Sequence, residues 1–215
     1  MLRNRIKTIE RLSVLFLILV SGCASFSSGN SALSLPAGSQ ETGIGIQGGI
    51  LDRGITDAKP VVELEFMTRL GITDFLDIEA KLLRGPVLNA KYTLPQENRK
   101  FISAIELGIG VKSLPTQNLP LKKDWYFSYY HTIPMPSGRL LSFIPRFIVQ
   151  QNGDIYTQLR TEYVTGMLIN YQFPVQSGIS IIPELAIYTK SNDFSDFINT
   201  ENLTLIPGLS LHKKF

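Results

Sequence analysis

A single cysteine, Cys23, in a chain of 215 residues excludes an intramolecular disulfide and any metal site built on several thiolates. Histidine is nearly as scarce: His131 and His212 make neither an HExxH pair nor another paired ligand spacing, so no transition-metal site is expected. No GxSxG, Walker loop or helix-opening GxGxxG occurs, which removes the common nucleophile and phosphate-binding signatures. Charged residues make up only 18% of the chain against 44% hydrophobic, a balance that excludes a disordered protein. The formal charge of +3 is confined to the beginning. Setting aside Arg3, Arg5, Lys7, Arg11 and Glu10 leaves 17 basic and 17 acidic residues, so the body has no surplus of positive charge for nucleic acid or another polyanion.

What is present begins with a basic stretch, residues 1–11, and an apolar run from Leu12 to Val20 interrupted only by Ser13. Small residues Ser21 and Gly22 precede Cys23. Basic, apolar and small-residue regions in this order describe an export signal, here residues 1–22. The apolar core is too short to cross a bilayer as a helix, which takes about 20 residues.

Val20-Ser21-Gly22-Cys23 closely resembles the lipobox of bacterial lipoproteins. The resemblance implies that the Cys23 sulfur receives diacylglycerol, that the bond before it is cut, and that the new amino terminus is acylated, as by palmitate. Membrane lipid and the lipoprotein-processing machinery would then be partners of Cys23. Several acyl chains, at about 0.8 kcal/mol per buried methylene, anchor a protein far better than one. Ala24 follows, where enteric lipoproteins retained in the inner membrane usually carry aspartate. Its identity points to the outer membrane of a Gram-negative-type bacterium. Residues 24–40 contain six serines and little charge, the composition of a flexible tether, so 23–40 is expected to link lipid to a folded domain at 41–215.

The body shows no convincing helix. Runs with period-two alternation recur, each closed by Gly, Pro, Asn or Asp. They fall at about 42–51, 60–70, 75–84, 86–94, 100–112, 123–133, 139–150, 161–173, 178–189 and 203–215. The pattern predicts an all-β, antiparallel up-and-down β-barrel of about ten strands, within a range of 8–12. The even count suits a bacterial membrane barrel. Connections at 52–59, 113–122, 151–160 and 190–202 are long and would lie outside, with Arg84-Gly85 as the exception. Those at 71–74, 95–99, 134–138 and 174–177 are short and would lie inside. Pro145, Pro183 and Pro207 fall within strands, where a missing donor predicts bulges or splits in the seventh, ninth and tenth.

The chain ends on Leu203, Leu205, Pro207, Leu209, Leu211, Lys213 and Phe215 in one parity. An alternating last strand closed by phenylalanine resembles the carboxy-terminal signal of outer-membrane β-barrel proteins. The resemblance implies that the barrel-assembly machinery reads Phe215. Tyr92, Phe101, Tyr171, Phe173 and Phe215 fall at inner strand ends, where an interfacial girdle is needed.

Alternation alone does not say which face is wet. In a membrane barrel the apolar face meets lipid and the polar face lines the interior; in a soluble barrel the order is reversed. Glu63, Glu65, Asp77, Glu79, Glu106 and Glu184 share the polar face with Arg69, Lys81, Lys91, Lys112 and Arg146. Such a set could pair into a plug, leaving no wide pore. The expected role is therefore a lipid-anchored outer-membrane barrel, structural or surface-exposed, non-enzymatic and without a cofactor. The alternative is a soluble periplasmic, lipocalin-like barrel that binds an apolar small molecule. Trp125, Phe127 and Tyr129, in the dense aromatic run 125–130, are the candidate ligand-stacking or interface residues. His131 beside Ser128 or Ser103 is the only arrangement that touches outer-membrane phospholipase chemistry, and no motif supports it. The glycine-rich 43–49 reads as a strand, not a phosphate cradle.

Overall fold

The computed structural model describes residues 29–51, 59–82, 86–96, 100–113, 121–153, 160–192 and 203–215. Cys23, the lipobox, the export signal and Arg84-Gly85 lie outside the described residues. Ten antiparallel strands follow one another around a closed barrel: β1 (Gln40–Leu51), β2 (Lys59–Gly71), β3 (Leu76–Leu82), β4 (Val87–Thr93), β5 (Ile102–Ser113), β6 (Leu121–Pro134), β7 (Leu140–Gly153), β8 (Arg160–Gln176), β9 (Ile179–Ser191) and β10 (Thr204–Lys214). β1 and β10 close the ring with Glu41 opposite Lys214 and Gln47 opposite Gly208. Both the start of β1 and the end of β10 lie at one rim, the near end; the opposite rim is the far end.

The strands are tilted, as closure demands. A row of paired residues that starts at Glu41, near the beginning of β1, passes through Arg69, Glu79 and Asn89 on β2 to β4. It continues through Gly108, Tyr126, Ile148 and Val164 and reaches Lys190, one residue from the far end of β9. Side chains alternate along every strand, so the period-two pattern sorts them onto the two sides of the wall.

That sorting places the oily set outside. Leu64, Ile78 and Leu107 are 50%, 39% and 58% exposed, and Ile44, Phe66, Leu88, Leu185, Leu209 and Leu211 stand on the same surface. Glu65, Arg69, Asp77, Glu79, Lys81, Lys91, Glu106, Arg146 and Glu184 are buried inside. The side chains of Glu63 and Lys112 lie outside the described set. The interior has two unlike halves. β1–β5 supply most of the charged residues, whereas β6–β10 supply Tyr126, Ile144, Ile148, Val164, Leu168, Tyr188 and Ile206, which pack into an apolar cluster.

Three expectations need correction. First, β7, β9 and β10 run unbroken through Pro145, Pro183 and Pro207. Each proline points outward, so only one ladder position toward one neighbour loses a donor. Opposite Pro145 the pairing with β6 lapses at Tyr129 and Tyr130, while β8 stays paired through Met167. The register shifts lie elsewhere, between Val111 and Ser113 and between Pro174 and Gln176. Second, β1, β2 and β6 to β9 are longer than the pattern predicts, whereas β3, β4, β5 and β10 are shorter. The far-end intervals between strands become 52–58, 114–120, 154–159 and 192–203, each shorter than expected, while 83–86 widens from two residues to four and the near-end interval 94–101 grows to eight. The length asymmetry survives in weaker form.

The third correction concerns the tether. Residues 29–38 do not hang outside the barrel. Residues 29–35 lie within its bore, with Asn30, Ser31, Ala32 and Leu35 buried, and Pro36 to Gly38 are exposed at the near rim. The composition that reads as a linker, small and neutral with many backbone amides available, also suits a strand of chain threaded between polar walls.

Candidate functional site: the lumen and its N-terminal stopper

The segment enters at the near end. Gly38 N donates to Gly71 O at 2.8 Å and Gly71 N donates to Ser39 O at 3.0 Å, tying it to the last residue of β2. A Cβ at Gly71 would collide with the carbonyl oxygen of Pro36, so the close passage depends on that glycine. From there the chain runs inward in the reverse direction. Leu35 N donates to Asp77 Oδ1 at 2.9 Å, and Ala32 N donates to Thr132 Oγ1 at 2.9 Å. Deeper still, Asn170 Nδ2 donates to Asn30 O at 2.7 Å, and Gly29 N donates to Glu184 Oε2 at 3.3 Å.

Carbonyls of the segment are held from the other side. Lys91 Nζ donates to Ser31 O at 2.7 Å and Leu33 O at 2.9 Å, and lies 3.3 Å from Asp77 Oδ2. Thr93 Oγ1 donates to Ala32 O at 2.6 Å. Arg69 reaches Leu33 O at 3.4 Å through one guanidinium nitrogen and Glu41 Oε1 at 3.1 Å through another. His212 Nδ1 stands 3.0 Å from the same Glu41 oxygen. Wall residues thus grip mainly the backbone of 29–38, a mode that fixes its path but asks little of its side chains. Asn30 and Ser34 are the exceptions, Asn30 Nδ2 donating to Glu79 Oε2 at 2.6 Å and Ser34 Oγ lying 2.6 Å from Thr93 Oγ1.

Above the segment the charges pair among themselves. Lys81 Nζ sits between Glu79 at 3.3 Å and Glu65 at 3.4 Å. Arg146 donates from Nε to Ser128 Oγ at 2.8 Å and from a terminal nitrogen to Glu106 Oε1 at 3.3 Å. Tyr130 OH donates to Glu106 Oε2 at 2.8 Å. Burial of an unpaired charge costs several kcal/mol, so this mutual pairing is what permits a charged interior.

The residues singled out from the sequence take separate places. Trp125, Phe127 and Tyr129 all point outward and are about half exposed, while Tyr126, Ser128 and Tyr130 of the same strand point inward. Ser128, held by Arg146, is therefore on the opposite face from His131. Ser103 is the cross-strand neighbour of His131, yet its hydroxyl accepts from Tyr129 OH at 3.0 Å, and the His131 ring lies against Phe101 with centroids 5.0 Å apart. Phe215 is exposed at the near rim, its backbone N donating to Gln40 O at 2.7 Å and Lys213 Nζ over its ring at 4.9 Å. Among the described residues no three His, Cys, Asp or Glu side chains group as metal ligands. The wall carboxylates and bases are legible in the sequence. Asn30, Ala32 and Leu35 are not, although two leucines and a proline at 33–36 are a faint departure from linker composition.

No family model matches the chain, and no curated protein matches it.

Proposed function

We propose that this chain is a lipid-anchored β-barrel of the bacterial outer membrane, structural or surface-exposed, non-enzymatic and without a cofactor. The observation that carries the reading is the inverted polarity of the wall: hydrophobic side chains outside, ion pairs inside. In water that exterior would be a continuous apolar surface far beyond the few hundred Å² that soluble monomers tolerate. In a bilayer it is matched to its solvent. Along β2 the outward set from Val62 to Leu70 covers about 27 Å of strand, which at a tilt near 40° gives an apolar height of roughly 20 Å, close to the band of a membrane barrel. Tyr92, Phe101 and Phe215 are exposed near one rim, and Trp125 lies toward the other, as interfacial girdles would.

The soluble carrier is less well supported, because its ligand cavity would have to be the apolar half formed by β6–β10, and that half is filled by its own side chains. Acylated Cys23 supplies the lipid anchor in this reading, and the last strand with Phe215 supplies the signal for the barrel-assembly machinery. The test is twofold. The folded protein should stay with membranes after carbonate washing when Cys23→Ser removes the anchor, and should shift in gel mobility on heating. Release of the Cys23→Ser variant as a soluble, heat-insensitive protein would sink the membrane barrel, while a fatty-acid label that persists in that variant would sink the lipid site.

A further inference from the structure

The wall holds residues 29–35 by their main chain. Gly29 N, Ala32 N and Leu35 N donate to Glu184, Thr132 and Asp77. The carbonyls of Asn30, Ser31 and Ala32 accept from Asn170, Lys91 and Thr93, and that of Leu33 accepts from both Lys91 and Arg69. These side chains come from β2, β3, β4, β6, β8 and β9, so they converge on the segment from around the ring. Of the segment's own side chains, Asn30 and Ser34 hydrogen-bond to the wall, and Ala32 and Leu35 are buried apolar contacts. Residues 29–37 join the wall only through the chain that leads into β1. They can leave without breaking a rung of the barrel.

We propose that this ring of side chains is a binding site for an extended peptide. The stopper, residues 29–38, fills it in cis, and an uncharged, small-residue segment of another exported chain can fill it in trans from the near rim. A site that reads main-chain groups tolerates many sequences. Burial of positions 30–32 and 35 sets the limit: small or aliphatic side chains fit there, whereas a charged one would have to shed its water. The covalent link gives the cis segment an effective concentration of roughly millimolar order. A competitor therefore needs confinement beside the rim, which a chain tethered to the same membrane surface has. That last step rests on the membrane reading above; the site itself does not.

Purified full-length protein in detergent would be compared with a full-length variant carrying Ala32→Arg and Leu35→Arg, whose own segment no longer fits the bore. The probe is a fluorescent peptide with the sequence of residues 29–38, read by anisotropy. It should bind the variant at least tenfold more tightly than the wild type. Methylating the peptide nitrogens that stand for Ala32 and Leu35 should weaken binding tenfold or more, whereas a serine–alanine peptide of equal length should stay within tenfold. A variant that keeps its heat-dependent mobility shift overturns the proposal if it binds no peptide, rejects the serine–alanine peptide or binds the methylated one equally well. Equal binding to the wild type also overturns it, because the peptide then sits elsewhere. If the double variant does not fold, a folded Ala32→Arg variant that binds no peptide overturns it instead. Loss of the heat shift in every form, with peptide binding retained, removes the membrane reading and leaves the site.

Discussion

Lys91 on β4 donates from Nζ to the carbonyl oxygen of Ser31, 60 residues earlier in the chain, at 2.7 Å. One ammonium thus joins the wall to the stopper, for it also holds Leu33 O and faces Asp77. Its three donors are all engaged, and it is buried with them. The consequence is that this side chain should matter more to stability than any lysine on the rim.

Lys91→Met is expected to cost about 3–5 kcal/mol, because it strands Asp77 as a buried charge with one partner fewer and frees two carbonyls. Denaturant unfolding followed by Trp125, the only tryptophan, would measure it. Adding Asp77→Asn should recover part of the loss, since the second change removes the stranded charge. A double variant no better than the single one would contradict the pairing.

Arg146 and Glu106 offer a second cycle. The single changes Arg146→Met and Glu106→Gln each leave a charge in the bore without its closest counterpart, whereas the double change leaves neither. A coupling free energy of about 1–3 kcal/mol is expected from the cycle. Additive effects would mean that Ser128 and Tyr130, not the ion pair, hold Glu106.

Leu107, midway along β5 and 58% exposed, separates the two solvents directly. In a bilayer, Leu107→Arg should cost about 2–4 kcal/mol and reduce the fraction of heat-shifting protein. In water the same change would be nearly silent. Equal yields of folded wild type and variant in membranes would argue against lipid contact at this face.

Gly71→Ala tests the entrance. The new Cβ would press on the carbonyl oxygens of Pro36 and Leu35, and overpacking of this kind costs about 1–3 kcal/mol. The stopper should loosen before the wall does. In the folded protein, the thiol of an Ala32→Cys variant should react faster with a maleimide once Gly71→Ala is added. An unchanged rate would show that the strain is relieved within the wall instead.

The strand pattern was readable because a pleated wall repeats every two residues, and each register position of β2 to β5 carries that period plainly. Leu64, Leu107, Glu65 and Glu106 fall on the faces their alternation assigns. Prolines misled the reading: Pro183 and Pro207 break a propensity rule yet cost only one donor on an outward position. The stopper was hidden for a different reason. Nothing in a Ser-rich, neutral segment distinguishes chain in water from chain in a polar bore, since both satisfy its amides.

Two chemically opposite faces, about ten strands to carry them, and a start and finish resembling exported and membrane-assembled proteins are legible in the amino-acid order alone. That order could not say which face closes inward, because period two is the same for either choice. Tertiary structure decided that by ring closure: with β1 paired to β10, the charged faces meet across a narrow bore where only mutual pairing can offset their desolvation. The same closure brought residues 29–38 against Lys91, Asp77 and Thr132, contacts between positions far apart in the chain that no local pattern encodes.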